Sequence, residues 1–241
     1  MIWKIQPKSA IIGMISILHT KSSTLLGLNA SDPSPRSMKK FLPQNAVVLD
    51  IGANEGDFAA LCKKACKSVR LVVVEPQKEL EEKLLAILGP DDLCIWKAAS
   101  NFVGVSAFNR KSIGDRKASL SPSKNSNDMN VGVTSVDQIC EEYNLKRVNL
   151  LKIDTEGNDF RVLLGSEESI DKGSIDAIIF EVSYQTFMNG FTPQEIEGWL
   201  RDKGYSRFYR ATKRLGFIPV AKLHNYRAET QNILVTREPR N

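Results

Sequence analysis

The sequence has few of the side chains from which metal centres and disulfide frameworks are built. Its 241 residues include four cysteines and two histidines, without a Cys-x-x-Cys pair or a mixed cysteine and histidine cluster. A structural zinc site is therefore not indicated. The cysteine spacing does not call for disulfides either, which is typical of a reducing compartment. We therefore expect the protein to be cytoplasmic.

Long apolar segments are also missing. Residues 10–18 are apolar and follow two lysines, which faintly resembles a signal peptide. The run is too short to span a membrane, and no small-residue cleavage site clearly follows it. We expect a short helix that packs on the domain or contacts a partner, and no transmembrane segment. A polar linker at residues 29–37 ends this N-terminal extension (residues 1–37), so the main domain should span residues 38–241.

The chain lacks a strong charge imbalance, but its positive charges are unevenly distributed. The formal net charge is +5. The basic residues near the C-terminus, opposed only by Asp202, are Arg201, Lys203, Arg207, Arg210, Lys213, Arg214, Lys222 and Arg227. Such a run forms either a solvated face or a rim that holds an anionic acceptor. Aromatic residues are interleaved with it, but several alternate like buried strand residues, so we expect no nucleic-acid binding.

What the sequence does contain is an alternation of short apolar runs with helical patterns. This alternation predicts an α/β protein whose parallel sheet is covered on both faces. The predicted strands are residues 46–51, 70–75, 93–98, 148–153, 177–182, 206–210 and 232–236. Ligands bind at the carboxyl ends of such strands. Residues 109–133 show no periodicity, and we expect a mobile, structureless loop close to the substrate there.

The turn after the first predicted strand favours a nucleotide-like ligand. Residues 50–56 have the sequence DIGANEG. Gly52 and Gly56 allow a tight turn and a close approach of the backbone to a ligand, and the following helix presents free N–H groups. The spacing is GxxxG, whereas a nicotinamide dinucleotide needs GxGxxG. S-adenosylmethionine fits better, because Asp50 can attract its ammonium while Asn54 and the N–H groups meet its carboxylate.

An acid at the tip of the second predicted strand adds a ribose-binding group. Glu75 lies 19 residues beyond Gly56. A carboxylate about 20 residues after the glycine turn can accept hydrogen bonds from both ribose hydroxyls of an adenosine. The turn and the acid together indicate S-adenosylmethionine as the methyl donor. The predicted donor-binding residues are Asp50, Gly52, Ala53, Asn54, Gly56, Glu75, Pro76, Ala98, Ala99 and Asp154.

Two further strand ends carry acids close to where the donor methyl group should lie. Asp154 and Glu156 follow the fourth predicted strand, and Glu181 lies at the end of the next one. Such acids can orient an incoming hydroxyl, accept its proton or hold a cation. A metal held by Asp154 and Glu181 is conceivable, but no third ligand is evident, so a divalent metal requirement stays open. His224, in the basic loop before the last strand, is a weaker candidate for a general base.

These motifs resemble those of FkbM-type methyltransferases. The matching segments are residues 48–56 (VLDIGANEG), 74–76 (VEP), 135–137 (SVD), 151–158 (LKIDTEGN), 162–165 (VLLG) and 179–181 (IFE). Asp159 fills the acidic position that the family usually has two places after Gly157. The resemblance extends over residues 46–236 and leaves out the N-terminal segment.

The resemblance implies the Rossmann-like, three-layer sandwich of class I methyltransferases. Their seven-stranded, mostly parallel sheet has its last strand antiparallel. It also implies O-methylation that depends on S-adenosylmethionine, with a hydroxyl of a sugar, a glycan or a secondary metabolite as the acceptor. The substrates of the family are diverse, so the acceptor and the oligomeric state stay open.

The expected mechanism is a direct displacement, in which an acceptor oxygen attacks the sulfonium methyl group in line. The candidates for the base that assists this oxygen are, in falling order, Asp154, Glu156, Glu181 and His224. A rival hypothesis is a non-catalytic adenosyl-binding or scaffold subunit of a glycan-assembly complex. An NAD(P)-linked oxidoreductase is disfavoured by the missing GxGxxG motif.

Overall fold

The computed structural model describes residues 33–115, 117–120, 129–213, 215–223 and 230–238. The predicted helix at residues 10–18 and the candidate base His224 lie outside these ranges. The helix α1 (Pro35–Met38) begins inside the predicted linker, and its first residue follows the cap Ser34. The division of the chain at residue 38 therefore stays a prediction.

The main sheet has eight strands, one more than the sequence predicts. In spatial order they are β11 (Gly216–Val220), β10 (Tyr205–Thr212), β12 (Gln231–Arg237), β9 (Ala177–Val182), β8 (Leu150–Ile153), β1 (Val47–Ile51), β2 (Arg70–Val74) and β3 (Leu93–Ile95). The five strands from β9 to β3 are parallel. β12 runs antiparallel to β9, which confirms the predicted reversal of the last strand.

The additional strand, β11, forms an antiparallel hairpin with β10 at the edge of the sheet. Pro219 in this strand cannot donate a hydrogen bond, a feature that restricts a strand to an edge position. The hairpin turn is closed by the Thr212 hydroxyl, which donates to the Gly216 carbonyl at 2.9 Å. The prediction of seven strands was wrong because the short, proline-containing run lacks a clear strand signal.

Helices cover both faces of the sheet, as predicted for a three-layer sandwich. Besides α1 they are α2 (Asp57–Ala65), α3 (Glu81–Leu85), α4 (Val136–Glu142), α5 (Asp159–Leu164), α6 (Glu167–Asp171), α7 (Tyr184–Met188) and α8 (Pro193–Asp202). Alternate residues of each central strand enter two separate apolar cores. Leu49 of β1 faces the core that includes α4, α5 and α8, whereas Val48 faces the core of α1, α2 and α3. Within the described ranges, no helix is long and apolar enough to cross a bilayer.

A second, four-stranded sheet lies beside the main one. Its order is β4 (Ala98–Ala99), β7 (Met129–Thr134), β5 (Gly104–Asn109) and β6 (Ser119–Leu120). The prediction of one strand at residues 93–98 was wrong, because the Lys97 amide donates to the Ile95 carbonyl and turns the chain between the sheets.

The prediction that residues 109–133 lack structure was wrong for β6 and β7. Val131 and Val133 of β7 alternate into a small core with Phe108 of β5. This alternation is period-two over only a few residues, and the surrounding polar sequence hides it.

Candidate active site

A cavity lies at the carboxyl ends of β1, β2, β8 and β9 and brings most of the predicted site residues together. The predicted residues that line it are Gly52, Ala53, Asn54, Glu75, Pro76, Ala98, Ala99, Asp154, Glu156 and Glu181. Asp50 and Gly56 do not line the cavity. The motifs thus converge on one site although they are more than a hundred residues apart in the chain.

The turn after β1 needs its two glycines because neighbouring residues leave no room for a Cβ. Gly52 has φ +76°, and a Cβ there would lie 1.9 Å from the Asp154 carbonyl oxygen. Gly56 has φ +88° and is the N-cap of α2, where a Cβ would lie 2.5 Å from the Ile87 side chain. The glycines therefore let the turn approach Asp154 and Ile87, whereas the sequence suggested an approach to a ligand.

Gly52→Ala should destabilise the fold. The left-handed backbone and the contact with the Asp154 carbonyl together should cost about 3 kcal/mol or more of unfolding free energy. Gly198→Ala is the matched control: this residue is exposed in α8 with no atom within 4 Å of a new Cβ, so its helix should become about 1 kcal/mol more stable. Urea unfolding of both variants measures the difference, and a Gly52→Ala protein as stable as the wild type would contradict this packing.

Glu75 is buried and organises the donor side of the cavity. Its Oε2 accepts from the Asn54 amide and its Oε1 from the Gln77 amide, each at 2.9 Å. Burial raises the pKa of Glu75, while these amide hydrogen bonds oppose the rise. Each carboxylate oxygen keeps a second lone pair, so the pair of hydroxyls of a ribose can still be accepted. The Asn54 amide itself is occupied by Glu75 and is not available to a ligand carboxylate.

Lys152 is a functional candidate that the sequence analysis missed. Its ammonium lies 3.0 Å from the Gly52 carbonyl oxygen, 3.1 Å from Asp50 Oδ1 and 3.6 Å from Asp154 Oδ2. Asp50, predicted to attract the donor ammonium, is fully buried and pairs with Lys152 instead of lining the cavity. The sequence feature that could have indicated this role is a lysine within an otherwise apolar strand.

Three of the carboxylates that line the cavity lie close together. One oxygen each of Asp154, Glu156 and Glu181 lies within 4.8 Å of the other two. Burial, followed by the charges of Asp159 and Asp154, raises the pKa of Glu181 to about 8. Burial, followed by the same two charges with Asp154 first, raises the pKa of Glu156 to about 7. Such a cluster can hold a proton near neutral pH.

The same cluster also has the donor set of a hard cation. Glu156, a candidate base from the sequence, is the third possible ligand that the sequence did not reveal, because its proximity to Glu181 depends on the turn after β8. An all-oxygen set suits Mg²⁺ or Ca²⁺. The requirement for a divalent metal stays a matter for experiment.

Asp159 is a second residue whose role the sequence did not indicate. It is fully buried at the start of α5, where burial raises its pKa to about 6. Its Oδ2 accepts from the Thr155 hydroxyl at 3.0 Å and the Gly157 amide at 3.2 Å, and its Oδ1 accepts from the Glu181 amide at 3.2 Å. Asp159 therefore holds the turn after β8 against the end of β9 and brings their carboxylates together.

The raised pKa values predict that acidification stabilises the fold. Asp159, Glu156 and Glu181 bind protons at higher pH in the folded chain than in the unfolded chain, so the folded state holds more protons between about pH 4.5 and 8. Unfolding free energy falls with rising pH wherever the folded state holds more protons. We therefore expect Tm to rise as the pH is lowered from 8.5 to 5.5. Differential scanning calorimetry of the wild type and Glu181→Gln tests this, since the variant should show a smaller rise; a Tm that falls over this range would contradict it.

The segment between β5 and β6 covers the donor side of the cavity, as expected of a loop close to the substrate. Arg110 forms an ion pair with Glu79, and the Gly114 amide donates to Gln77 Oε1 at 3.0 Å. Asp115 lines the cavity together with the residues of β6. The structure does not describe residue 116.

The basic residues near the C-terminus are in part neutralised by acids. The ion pairs join Lys203 to Glu167 and Asp171, Arg201 to Glu197, and Arg207 to Glu238. None of these residues lines the cavity. For these residues the arrangement agrees with a solvated face better than with a rim that binds an anion, while Arg214 and Arg227 lie outside the described residues.

Comparison with known proteins agrees with this fold. Residues 50–207 match the family model of the methyltransferase FkbM domain. The solved structure of methyltransferase FkbM from Methylobacillus flagellatus KT is similar, with a TM-score of 0.52 and 14% identity over 80% of this chain and 43% of that one. A TehB-like SAM-dependent methyltransferase from Corynebacterium glutamicum has a TM-score of 0.44 and 11% identity over 95% of this chain and 100% of that one. A search of curated proteins finds no match.

The fold and the donor turn define a class I methyltransferase domain that uses S-adenosylmethionine. The chain belongs to the FkbM methyltransferase family, whose model covers more than half of it. It spans 43% of the length of the Methylobacillus FkbM structure.

Proposed function

We propose that this chain transfers the methyl group of S-adenosylmethionine to a hydroxyl of a neutral sugar, glycan or hydroxyl-bearing secondary metabolite. The observation that carries the proposal is the trio of carboxylates in the same cavity as the donor turn. Two of these carboxyls, Glu156 and Glu181, have pKa values raised to about 7 and about 8. A base is most effective when its pKa lies near the operating pH.

In the proposed reaction the donor lies between the turn after β1 and Glu75. Glu75 accepts the ribose hydroxyls, and the turn holds the amino-acid end. The acceptor oxygen attacks the sulfonium methyl carbon in line, so that an O–C bond forms as the C–S bond breaks. The hydroxyl proton passes to a carboxylate, and S-adenosylhomocysteine leaves.

Glu181 is the proposed base, with Glu156 second. The sequence ranked Asp154 first because it directly follows a central strand. The contacts favour a different division of roles, since Asp154 Oδ2 lies 3.6 Å from the Lys152 ammonium. This ion pair fixes the orientation of the Asp154 carboxylate, which suits it to hold the acceptor in place. Asp154 therefore orients the acceptor, and Asp154→Ala should bind the donor but turn over slowly.

The charge of the cavity supports a neutral acceptor. Asp154, Glu156 and Glu181 face the acceptor side. The cations that act on them are Lys152, which already contacts Asp50 and Asp154, and the exposed Lys117 near Glu156. Like charges close together in a partly buried site repel strongly. An anionic acceptor, including a nucleic-acid backbone, would be disfavoured, whereas sugar hydroxyls can donate hydrogen bonds to the carboxylates.

The deciding experiment incubates the protein with methyl-labelled donor and a panel of neutral, acidic and amino sugars, glycans and hydroxylated metabolites. We expect label on an oxygen of a neutral member, located by mass spectrometry. Label on nitrogen or carbon would overturn the proposal. Donor binding without transfer to any member would favour a non-catalytic adenosyl-binding subunit. Repeating the assay after dialysis against EDTA, with and without added Mg²⁺, shows whether the carboxylates must hold a cation.

A further inference from the structure

Lys152 is a buried lysine to which the proposed chemistry assigns no step. Its side chain is 7% exposed. In the pairing of β1 with β8 it lies directly opposite Asp50, so both side chains project from the same face of the sheet. Burying an ammonium is costly unless oxygen atoms replace its water shell. The location of those oxygens indicates what this lysine holds together.

The oxygens come from both halves of the cavity. The Gly52 carbonyl, at 3.0 Å, belongs to the turn that holds the donor. Asp154 Oδ2, at 3.6 Å, belongs to the carboxylate group that faces the acceptor. Asp50 Oδ1, at 3.1 Å, supplies the buried counter-charge, and the Phe58 ring centroid lies 5.6 Å away. The contact with Gly52 is a hydrogen bond, and those with Asp50 and Asp154 are ion pairs, so one ammonium contacts oxygens of both segments.

The two segments that Lys152 joins are also in direct contact. The Asp154 amide donates to the Ile51 carbonyl at 3.1 Å. Space for a Cβ at Gly52 is taken by the Asp154 carbonyl oxygen. A displacement of the donor turn would therefore be transmitted to Asp154, and Lys152 is the side chain that holds the carboxylate to this shared position.

We propose that Lys152 is a positioning residue, whose ammonium ties the donor turn to Asp154 and so holds the methyl donor and the acceptor-side carboxylates in one geometry. This inference rests on the proposed function. Displacements of about 1 Å can cost on the order of 100-fold in rate when a reaction depends on alignment. A lysine that served only as the counter-ion of Asp50 would have no such effect once Asp50 were neutral.

The test therefore removes the charge of Asp50 first. Asp50→Asn keeps the lysine with Gly52 and Asp154, and the double variant Asp50→Asn/Lys152→Met then removes the ammonium without leaving Asp50 as a buried, unpaired charge. Lys152→Met alone is unsuitable, because an uncompensated buried carboxylate can unfold the domain. The matched control applies the same two steps to the ion pair of Lys63 with Asp92, at 2.7 Å and away from the cavity, by comparing Asp92→Asn with Asp92→Asn/Lys63→Met.

Two measurements test whether Lys152 holds the donor turn and Asp154 in one geometry. The first is amide hydrogen exchange without any acceptor: in the double variant, residues 52–54 and 154–157 should exchange about tenfold faster than in Asp50→Asn, because the constraint on both turns is lost. The second compares turnover with donor affinity. With an acceptor found in the labelling assay, kcat should fall about 10- to 100-fold relative to Asp50→Asn, while the Kd for S-adenosylmethionine changes less than about fivefold.

The outcomes test the role of Lys152 and the proposed function separately. Unchanged exchange in both turns, or equal kcat in the double variant and Asp50→Asn, would overturn the role of Lys152. A rise in the Kd for S-adenosylmethionine as large as the fall in kcat would also overturn it, because the lysine would then serve donor binding as a whole. If the wild type methylates no hydroxyl, the proposed function fails, and the exchange result still decides whether Lys152 joins the two turns. Asp92→Asn/Lys63→Met should have a lower Tm than Asp92→Asn without faster exchange in either turn.

Discussion

Glu181→Gln should lower kcat for hydroxyl methylation about 100- to 1000-fold while leaving donor affinity nearly unchanged. Glutamine keeps the size of the side chain and its place at the end of β9, but it cannot accept a proton at neutral pH. Donor affinity should persist because the residues proposed to hold the donor, Glu75 and the turn after β1, form no described hydrogen bond with Glu181. Single-turnover kinetics with labelled donor and calorimetry with S-adenosylmethionine measure the two quantities separately.

The pH dependence identifies the group. A general base must be unprotonated, so wild-type kcat should rise with pH and level off above about 8, the raised pKa of Glu181. Burial and the charges of Asp159, Asp154 and Glu156 cause that rise, and the Ser183 hydrogen bond opposes it. In Glu181→Gln the residual activity should depend on Glu156 instead, so its profile should level off nearer pH 7.

Glu168→Gln is the matched control for this substitution. Glu168 is an exposed acid of α6 whose side chain pairs with Lys172 at the surface. Its replacement should leave both kcat and the pH profile unchanged. If Glu181→Gln retained more than about a third of wild-type turnover, Glu181 would not be the base, and Glu156 would be the next candidate.

Glu75→Ala should weaken the binding of S-adenosylmethionine by about 100-fold or more. Hydrogen bonds to a charged acceptor contribute about 1.5–3 kcal/mol each, and two ribose hydroxyls would lose their partner. The substitution also releases the Asn54 and Gln77 amides that Glu75 holds at 2.9 Å. The turn after β1 and the segment after β2 would then lose their common anchor, which adds to the loss of affinity.

Calorimetry with S-adenosylmethionine and S-adenosylhomocysteine measures this effect without an acceptor. Both ligands carry the same ribose, so both should lose affinity to a similar extent. Glu82→Ala is the control, because Glu82 is an exposed acid of α3, away from the cavity wall. A Kd for Glu75→Ala within threefold of the wild type would mean that Glu75 does not bind the ribose, whatever its structural role.

Much of the donor site could be predicted from the sequence because its determinants are local. A strand, a glycine turn and a helix N-terminus follow one another within residues 46–66, and Glu75 ends the next strand. The direction of the parallel strands then brings their carboxyl ends to one edge. These features depend on short-range periodicity and backbone conformation, which neighbouring residues determine.

The acceptor side depends on contacts between distant parts of the chain. The approach of Glu181 to Asp154 and Glu156 follows from the hydrogen bonds that Asp159 makes to the turn after β8 and to β9. The partner of Asp50 is Lys152, a hundred residues further along, and only the register of β1 with β8 places them together. The local sequence shows only that this lysine interrupts an otherwise apolar strand, and it does not show which acid the lysine meets.

By itself, therefore, the sequence determined the class of fold and the strand ends that line the cavity, and it indicated the methyl donor. The tertiary structure alone decided the eighth strand, the second sheet over the cavity and the pairing of its charges. The physical reason is that hydrophobic periodicity shows which face of a helix or strand is buried. The pKa values and ion pairs depend on which of these buried faces contact each other in the folded chain. Asp50 illustrates both: its position in the donor turn was evident from the sequence, and its contact with Lys152, which directs it away from the cavity, was not.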